Sequence, residues 1–470
     1  MKKTRLLPLL IIVVMTISLT MSGCSADINR DQELKEAHDN IYKEVTETFN
    51  QESLDFTLLS EYLESWAINC DMEVDENADH YIVITNPATE DCKKEESTAL
   101  QCSVDTNNCE NSLYVLSSGM TALLGPLKHG DISLIVTEIA DGQRIGAQSL
   151  LAKHLKKDNV IGLINASNQS VYTEGAYGAS GTITAKAKKV SPKYSECYTI
   201  TMAMPEYTDP YSFDKKKNYP NPIETIGGLL ATTKSSGKLF EIADFSCQAH
   251  EGYTPYTATA TIVVDSNNVE SIKKKFDKSY ETMENRFEKL DSEFVYTMDK
   301  SKMPGKVLSE KSSNNLISLM YTLNTGNCIQ DEESGLVYAT SYIDSISTKN
   351  SKLNLSLKVR TRGEEYLDDV SEMYEITAGL CSTQYKQESK GRIWASSEKS
   401  GLAPFFSSMI PSEEGSSEIA LKSYDNDYFY AKYNDINMIS VLFSKSDRSS
   451  TIFTITHFID PDYEKNTMNY

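Results

Sequence analysis

Apolar residues near the start of the chain follow one spacing and then change to another. Over residues 31–67, Leu34, His38, Ile41, Val45 and Phe49 come three or four apart, and after Gln51-Glu52-Ser53 a second set follows in Leu59, Tyr62, Leu63 and Trp66. That period brings side chains to one face of a helix, so two helices over 31–70, packed on the next domain, are expected. From His80 the apolar residues bunch into short continuous runs: Tyr81–Ile84, Leu113–Leu116, Ile132–Val136, Val160–Ile164 and Tyr198–Met204. Runs of that kind read as strands buried on both faces. Between the third and fourth, Ile145, Leu150, Leu151, His154 and Leu155 give Arg144–Lys157 a helical face. Strand, helix, strand predicts a parallel sheet covered by helices over 78–210.

The pattern then becomes irregular. Pro205, Pro210, Pro220, Pro222, Gly227 and Gly228 punctuate a junction that leads, with one short helix, into a β segment ending near 265. Over 266–295, Val269, Ile272, Phe276, Tyr280, Met283, Phe287, Leu290 and Phe294 again repeat at three or four, with Lys and Glu between. The aromatics on that stripe suit docking onto a domain better than a coiled-coil seam. Residues 296–470 turn to alternation, strict in Lys352–Val359, with further strands expected at Ile439–Phe443 and Thr451–Thr456. One-sided alternation points to antiparallel sheets. The expected fold is therefore a three-layer α/β domain followed by a β-rich, β-sandwich C-terminal region.

The amino terminus changes the picture of where the protein resides. Lys2, Lys3 and Arg5 precede the apolar stretch Leu6–Thr20, which is short for a membrane span, and Met21-Ser22-Gly23-Cys24 follows it. This resembles the lipobox of bacterial lipoproteins, which implies a signal peptide over 1–23, diacylglycerol on Cys24 and a tether over 24–30. The implied location is the extracytoplasmic face of the cell membrane, held by lipid. Loss of the three basic residues carries the formal net charge from −21 to −24. A chain this acidic repels phosphate backbones and argues against nucleic acid as a partner. The nine Cys leave eight after Cys24, an even number that permits disulfides outside the cytoplasm but does not fix their pairing.

Residues 80–205 resemble the von Willebrand factor A-like fold, through "HYIVIT", "GDISLIVTEIADG" and "NVIGLINASN". The whole arrangement resembles clostridial surface lipoproteins that carry such a domain behind a lipobox. The resemblance implies a Mg²⁺ site of hard oxygens, for which the positions here are Thr85, Pro87 and Thr89, with Thr137, Glu138 and Asp141 from a later loop. Pro87 cannot ligate through a side chain and Thr85 replaces a carboxylate, so the resemblance implies a degenerate site and no cofactor.

Other constellations carry less chemistry. The six His include no pair four apart, so the His-Glu-x-x-His zinc motif is missing. "EGAYGASG" at Glu174–Gly181 lacks the P-loop Gly-Lys-Ser/Thr and reads as a loop, and Cys247-Gln248-Ala249-His250 has no second ligand pair. The 27 Tyr against two Trp include Tyr428, Tyr430 and Tyr433, candidates for contact with a protein or surface polymer. The expectation is a lipid-anchored, non-catalytic binding or assembly factor. Its rival is an extracellular hydrolase with a non-linear active site, which would show acidic and His side chains converging in one place.

Overall fold

The computed structural model describes residues 30–49, 54–204, 220–249, 253–289, 293–397, 400–410 and 418–460. The expected signal peptide, Cys24 and nearly all of its tether lie outside those residues, as does His250. No described helix is long and apolar enough to cross a membrane.

The chain opens with α1 (Arg30–Thr48) and α2 (Phe56–Asn69), the latter capped by Asp55, whose carboxylate accepts from the Thr57 and Leu58 amides. The hairpin β1 (Glu73–Ala78) and β2 (Tyr81–Asn86) follows, then β3 (Thr98–Asp105), α3 (Cys109–Leu124), β4 (Ile132–Ile139), the short α4 (Ile145–Ser149), β5 (Asn159–Asn165) and β6 (Ser170–Tyr172). An excursion comes next: β7 (Tyr177–Lys186), β8 (Glu196–Ala203), α5 (Pro222–Ser235), β9 (Phe240–Gln248), β10 (Thr257–Val264), α6 (Val269–Glu288), β11 (Val295–Lys300), α7 (Glu310–Thr322), β12 (Gly326–Gln330), β13 (Val337–Ser347), β14 (Lys352–Thr361), α8 (Glu364–Leu380) and β15 (Gln384–Arg392). The chain closes with α9 (Leu402–Met409), α10 (Asp425–Lys432), β16 (Met438–Phe443) and α11 (Arg448–Ile459).

Two sheets organise these elements. The first runs β1-β2-β4-β3-β5-β16-β6, with β3 parallel to β4 and β5, and β16 parallel to β5. One face carries α1, α2, α3, α9 and α11 over a core that includes Leu59, Leu63, Leu116, Met120, Leu134 and Ile161. The other carries α4 and α10 over Tyr81, Val83, Ile135, Val160, Trp394 and Phe429. The second sheet is wholly antiparallel, ordered β11-β8-β10-β9-β13-β14-β7-β15, with β12 beside β13. Its two halves meet at the single pairing Ser246–Ser347, yet one core, including Ile262, Phe245, Leu355 and Tyr374, underlies α5, α6, α7 and α8.

The expected C-terminal β-sandwich is therefore corrected. Strands from 296–392 pair with strands from 177–264 in one sheet covered by helices, and residues 438–460 return to the first sheet. Nor is the first sheet a von Willebrand factor A-like array. Its strand β2 runs antiparallel to β4, and β16, an inner strand next to the β6 edge, comes from the far end of the chain. Two local readings also change. Leu113–Leu116 belongs to α3, which is buried along nearly its whole length, and a fully buried helix shows the same unbroken apolar run as a buried strand. Thr451–Thr456 belongs to α11, where packing against α3 and α9 overrides the β preference of Thr and Ile. Strands missed in the sequence include β1, β3, whose run is broken by Gln101 and Ser103, and β7, which takes in Tyr177–Gly181 of the stretch read as a loop. All eight described Cys are free thiols.

Candidate functional site

The carboxyl ends of β3 and β4 gather polar groups on one face. Gln101 and Ser103 stand two apart on β3, so they share a face, and Thr137 stands opposite Ser103 on β4. Over them lies Asp425, the first residue of α10, only 2% exposed. Its Oδ2 accepts from Gln101 Nε2 (2.8 Å), Ser103 Oγ (3.0 Å) and Thr137 Oγ1 (2.5 Å). Its Oδ1 accepts from the Arg144 guanidinium at 2.5 Å. Four donors, one of them the counter-charge of Arg144, stabilise the buried carboxylate, which is the condition for keeping a charge out of water.

Beside this network stands a histidine held by a carboxylate. Tyr81 pairs with Thr137, which puts His80, in the turn before β2, next to Glu138. The Glu138 amide donates to the His80 carbonyl (3.0 Å), and His80 Nδ1 lies 2.7 Å from Glu138 Oε2. An ionised carboxylate can only accept, so Nδ1 carries the hydrogen and Nε2 keeps the basic lone pair. The imidazole side chain is 43% exposed and that of Glu138 only 12%, so a fixed partner orients a ring that water can reach. The backbone beneath is closely packed. A Cβ on Gly146 would meet the Glu138 amide nitrogen at 2.3 Å and the His80 carbonyl oxygen at 2.4 Å, so no larger residue fits there.

More carboxylates border the same end. Asp141 adopts the left-handed conformation (φ 50°), and its side chain accepts from Asn107 Nδ2 (3.5 Å). The Asn107 amide in turn donates to Asp105 Oδ1 (3.0 Å). On the other side of the hairpin, hydrogen bonds from Lys153, His154 and Tyr81 hold the Glu76 carboxyl down to about 2.

The residues singled out from the sequence divide between the two ends of the sheet. Thr137, Glu138 and Asp141 stand at the carboxyl end of β4. Thr89 stands at the opposite end, where its amide donates to the His129 carbonyl (3.0 Å), because β2 runs antiparallel to β4 and carries the following loop away. Thr85 donates to Asp75 (2.7 Å) and lies against Ser133. Tyr428 and Tyr430 lie on α10 and Tyr433 at its end, partly buried against the core under that helix. Burial raises the Tyr428 hydroxyl pKa above the usual tyrosine value. Sequence reasoning missed Asp425, Arg144 and Gln101 as site residues and made nothing of His80. The only signal for the first three was two polar side chains, Gln101 and Ser103, at inward positions of an otherwise apolar run.

No family model matches the chain, and no curated protein matches it. Solved structures of similar fold include aminoacylhistidine dipeptidase from Vibrio alginolyticus, 17% identical over 92% of this chain and 96% of that one, with a TM-score of 0.47. A tripeptidase from Staphylococcus aureus is 11% identical over 92% and 99%, with a TM-score of 0.44. A dinuclear metal-binding peptidase of the M20 family from Bacillus subtilis is 10% identical over 93% and 99%, with a TM-score of 0.36. Likeness at this level says nothing about the chemistry of this chain. The neighbours carry the names of peptidases, one of them metal-binding, and none that of a von Willebrand factor A-like lipoprotein. The resemblance to von Willebrand factor A-like surface lipoproteins is withdrawn on the sheet topology above, and with it go the non-catalytic binding or assembly role and the absence of a cofactor, which rested on that resemblance. A dinuclear centre does not fit the residues present either. Among the described residues no three His, Cys, Asp or Glu side chains stand together so as to hold a metal ion. At the strand ends Gln101, Ser103 and Thr137 offer only an amide and two hydroxyls, the Asp425 carboxylate is already bound by Arg144, and Glu138 is taken up by His80.

Proposed function

We propose that the chain is a hydrolase in which His80, oriented by Glu138, takes a proton from the water that attacks a carbonyl carbon. The observation that carries this reading is the 2.7 Å contact between His80 Nδ1 and Glu138 Oε2, beside an exposed imidazole at the carboxyl ends of parallel strands. In this arrangement Glu138 fixes the tautomer that leaves Nε2 basic, and it stabilises the imidazolium formed as the proton moves. Nε2 then returns the proton to the leaving group. The test is a panel of activated esters, anilides and dipeptides, with His80→Ala beside the wild type. A general base contributes about a hundredfold or more to the rate, so the variant should lose at least that factor in kcat. A panel with no turnover above the blank, or a variant as active as the wild type, overturns the reading.

We also propose that the protein is held by lipid on Cys24 at the outer face of the cell membrane, on the strength of the Met21-Ser22-Gly23-Cys24 sequence behind its basic and apolar leader. In cells fed an alkyne fatty acid, the protein should take up label and Cys24→Ser should not. Equal labelling of both would remove the anchor.

A further inference from the structure

We infer that helix α10 is a two-headed tie that joins the body of the first sheet to the body of the second, so that the two part only when the ion pair at one of its sides breaks. Positions 425 and 427 stand about 200° apart around a helix, so their side chains leave opposite sides. Asp425 turns to the first sheet and binds Arg144, Gln101, Ser103 and Thr137. Asp427 turns to the second and binds Arg360 on β14 at 2.7 Å, in a pair whose side chains are only 11% and 12% exposed.

The contacts on either side of that pair repeat the pattern. Arg360 also donates to the Leu421 carbonyl (3.1 Å), and Arg362, just past the end of β14, donates to the Ile419 carbonyl (2.8 Å). Both arginines thus grip the segment that leads into α10. At the far end of the helix, Lys432 Nζ donates to the carbonyls of Ala147 (2.9 Å), Gln148 (2.5 Å) and Leu150 (2.7 Å), closing the end of α4. From the loop between β9 and β10, the Tyr253 hydroxyl accepts from the Arg144 amide at 2.8 Å. Charged groups this little exposed lose far more on separation than surface pairs do, because each would be left without its partner.

Calorimetry on the whole protein tests the tie. The wild type should unfold in one transition, and Asp427→Asn should split it into two. Two transitions in the wild type, or one undivided transition in the variant, overturn the inference. Should Asp427→Asn not fold, hydrogen exchange on the wild type decides. Amides of α10 protected to within tenfold of those in β3 and β14 support the tie, because the helix then opens only with both bodies. Amides of α10 exchanging more than tenfold faster than both overturn it.

Discussion

Asp425→Ala should destabilise the protein by about 3–5 kcal/mol, the cost of leaving a shielded partner charge unpaired. The Arg144 side chain is only 16% exposed and would lose its counter-ion, while the Gln101 and Thr137 donors, buried under α10, would lose their acceptor. Chemical denaturation followed by circular dichroism reads the change, with an unaltered dependence on denaturant showing that the same surface is exposed. The double variant Arg144→Met with Asp425→Ala separates the causes. It removes both charges, so it should be more stable than Asp425→Ala alone, since most of the single-variant loss is the stranded guanidinium. A loss below about 1 kcal/mol in Asp425→Ala would mean that water reaches Arg144 freely and that the network is a surface feature.

How much of this could be read beforehand depends on what decided each element. Strands β2, β4 and β5 were legible because their apolar runs are short and unbroken, and helices α1, α2 and α6 because their stripes keep one period. Strand β3 was not legible, for a reason that lies in the tertiary structure: Gln101 and Ser103 interrupt its run because they face a carboxylate contributed from more than three hundred positions away. Ile439–Phe443 was correctly a strand, but nothing local says that it joins the sheet of residues 81–165, since parallel pairing depends on the long excursion between them. Glu138 and Asp141 were picked out from the end of their strand. His80 lay in view yet drew no role, because its partner is set by the register between β2 and β4, which spacing along the chain does not contain.

Acid should loosen the contact between α1 and the rest of the first body, through His38. Its side chain is fully buried, with Nε2 3.1 Å from Ser118 Oγ on α3 and the ring against Tyr42 and Tyr114. Burial, reinforced by the positive charge of Arg448 on α11, lowers its pKa to about 4 against a small opposing effect of Asp39. The groups facing it are therefore Asp39 and Tyr42 from its own helix, Ser118 and Tyr114 from α3, and Arg448, which itself pairs with Asp39 at 2.7 Å. Above pH 6.5 the imidazole is neutral in both folded and unfolded chains and has no effect on stability. As pH falls below 6.5 the unfolded chain takes a proton that the folded one refuses, so stability drops by about 1.4 kcal/mol per pH unit until the folded form also protonates near pH 4. The full loss from this one group is about 3 kcal/mol. His38→Gln keeps a hydrogen-bonding side chain and removes the titration, so its stability curve should be flatter than that of the wild type between pH 6.5 and 4, with the two curves drawing together at the acid end. Parallel curves for the two proteins over that window would show that His38 takes up its proton in the folded state without cost, and that other groups drive whatever acid unfolding is seen.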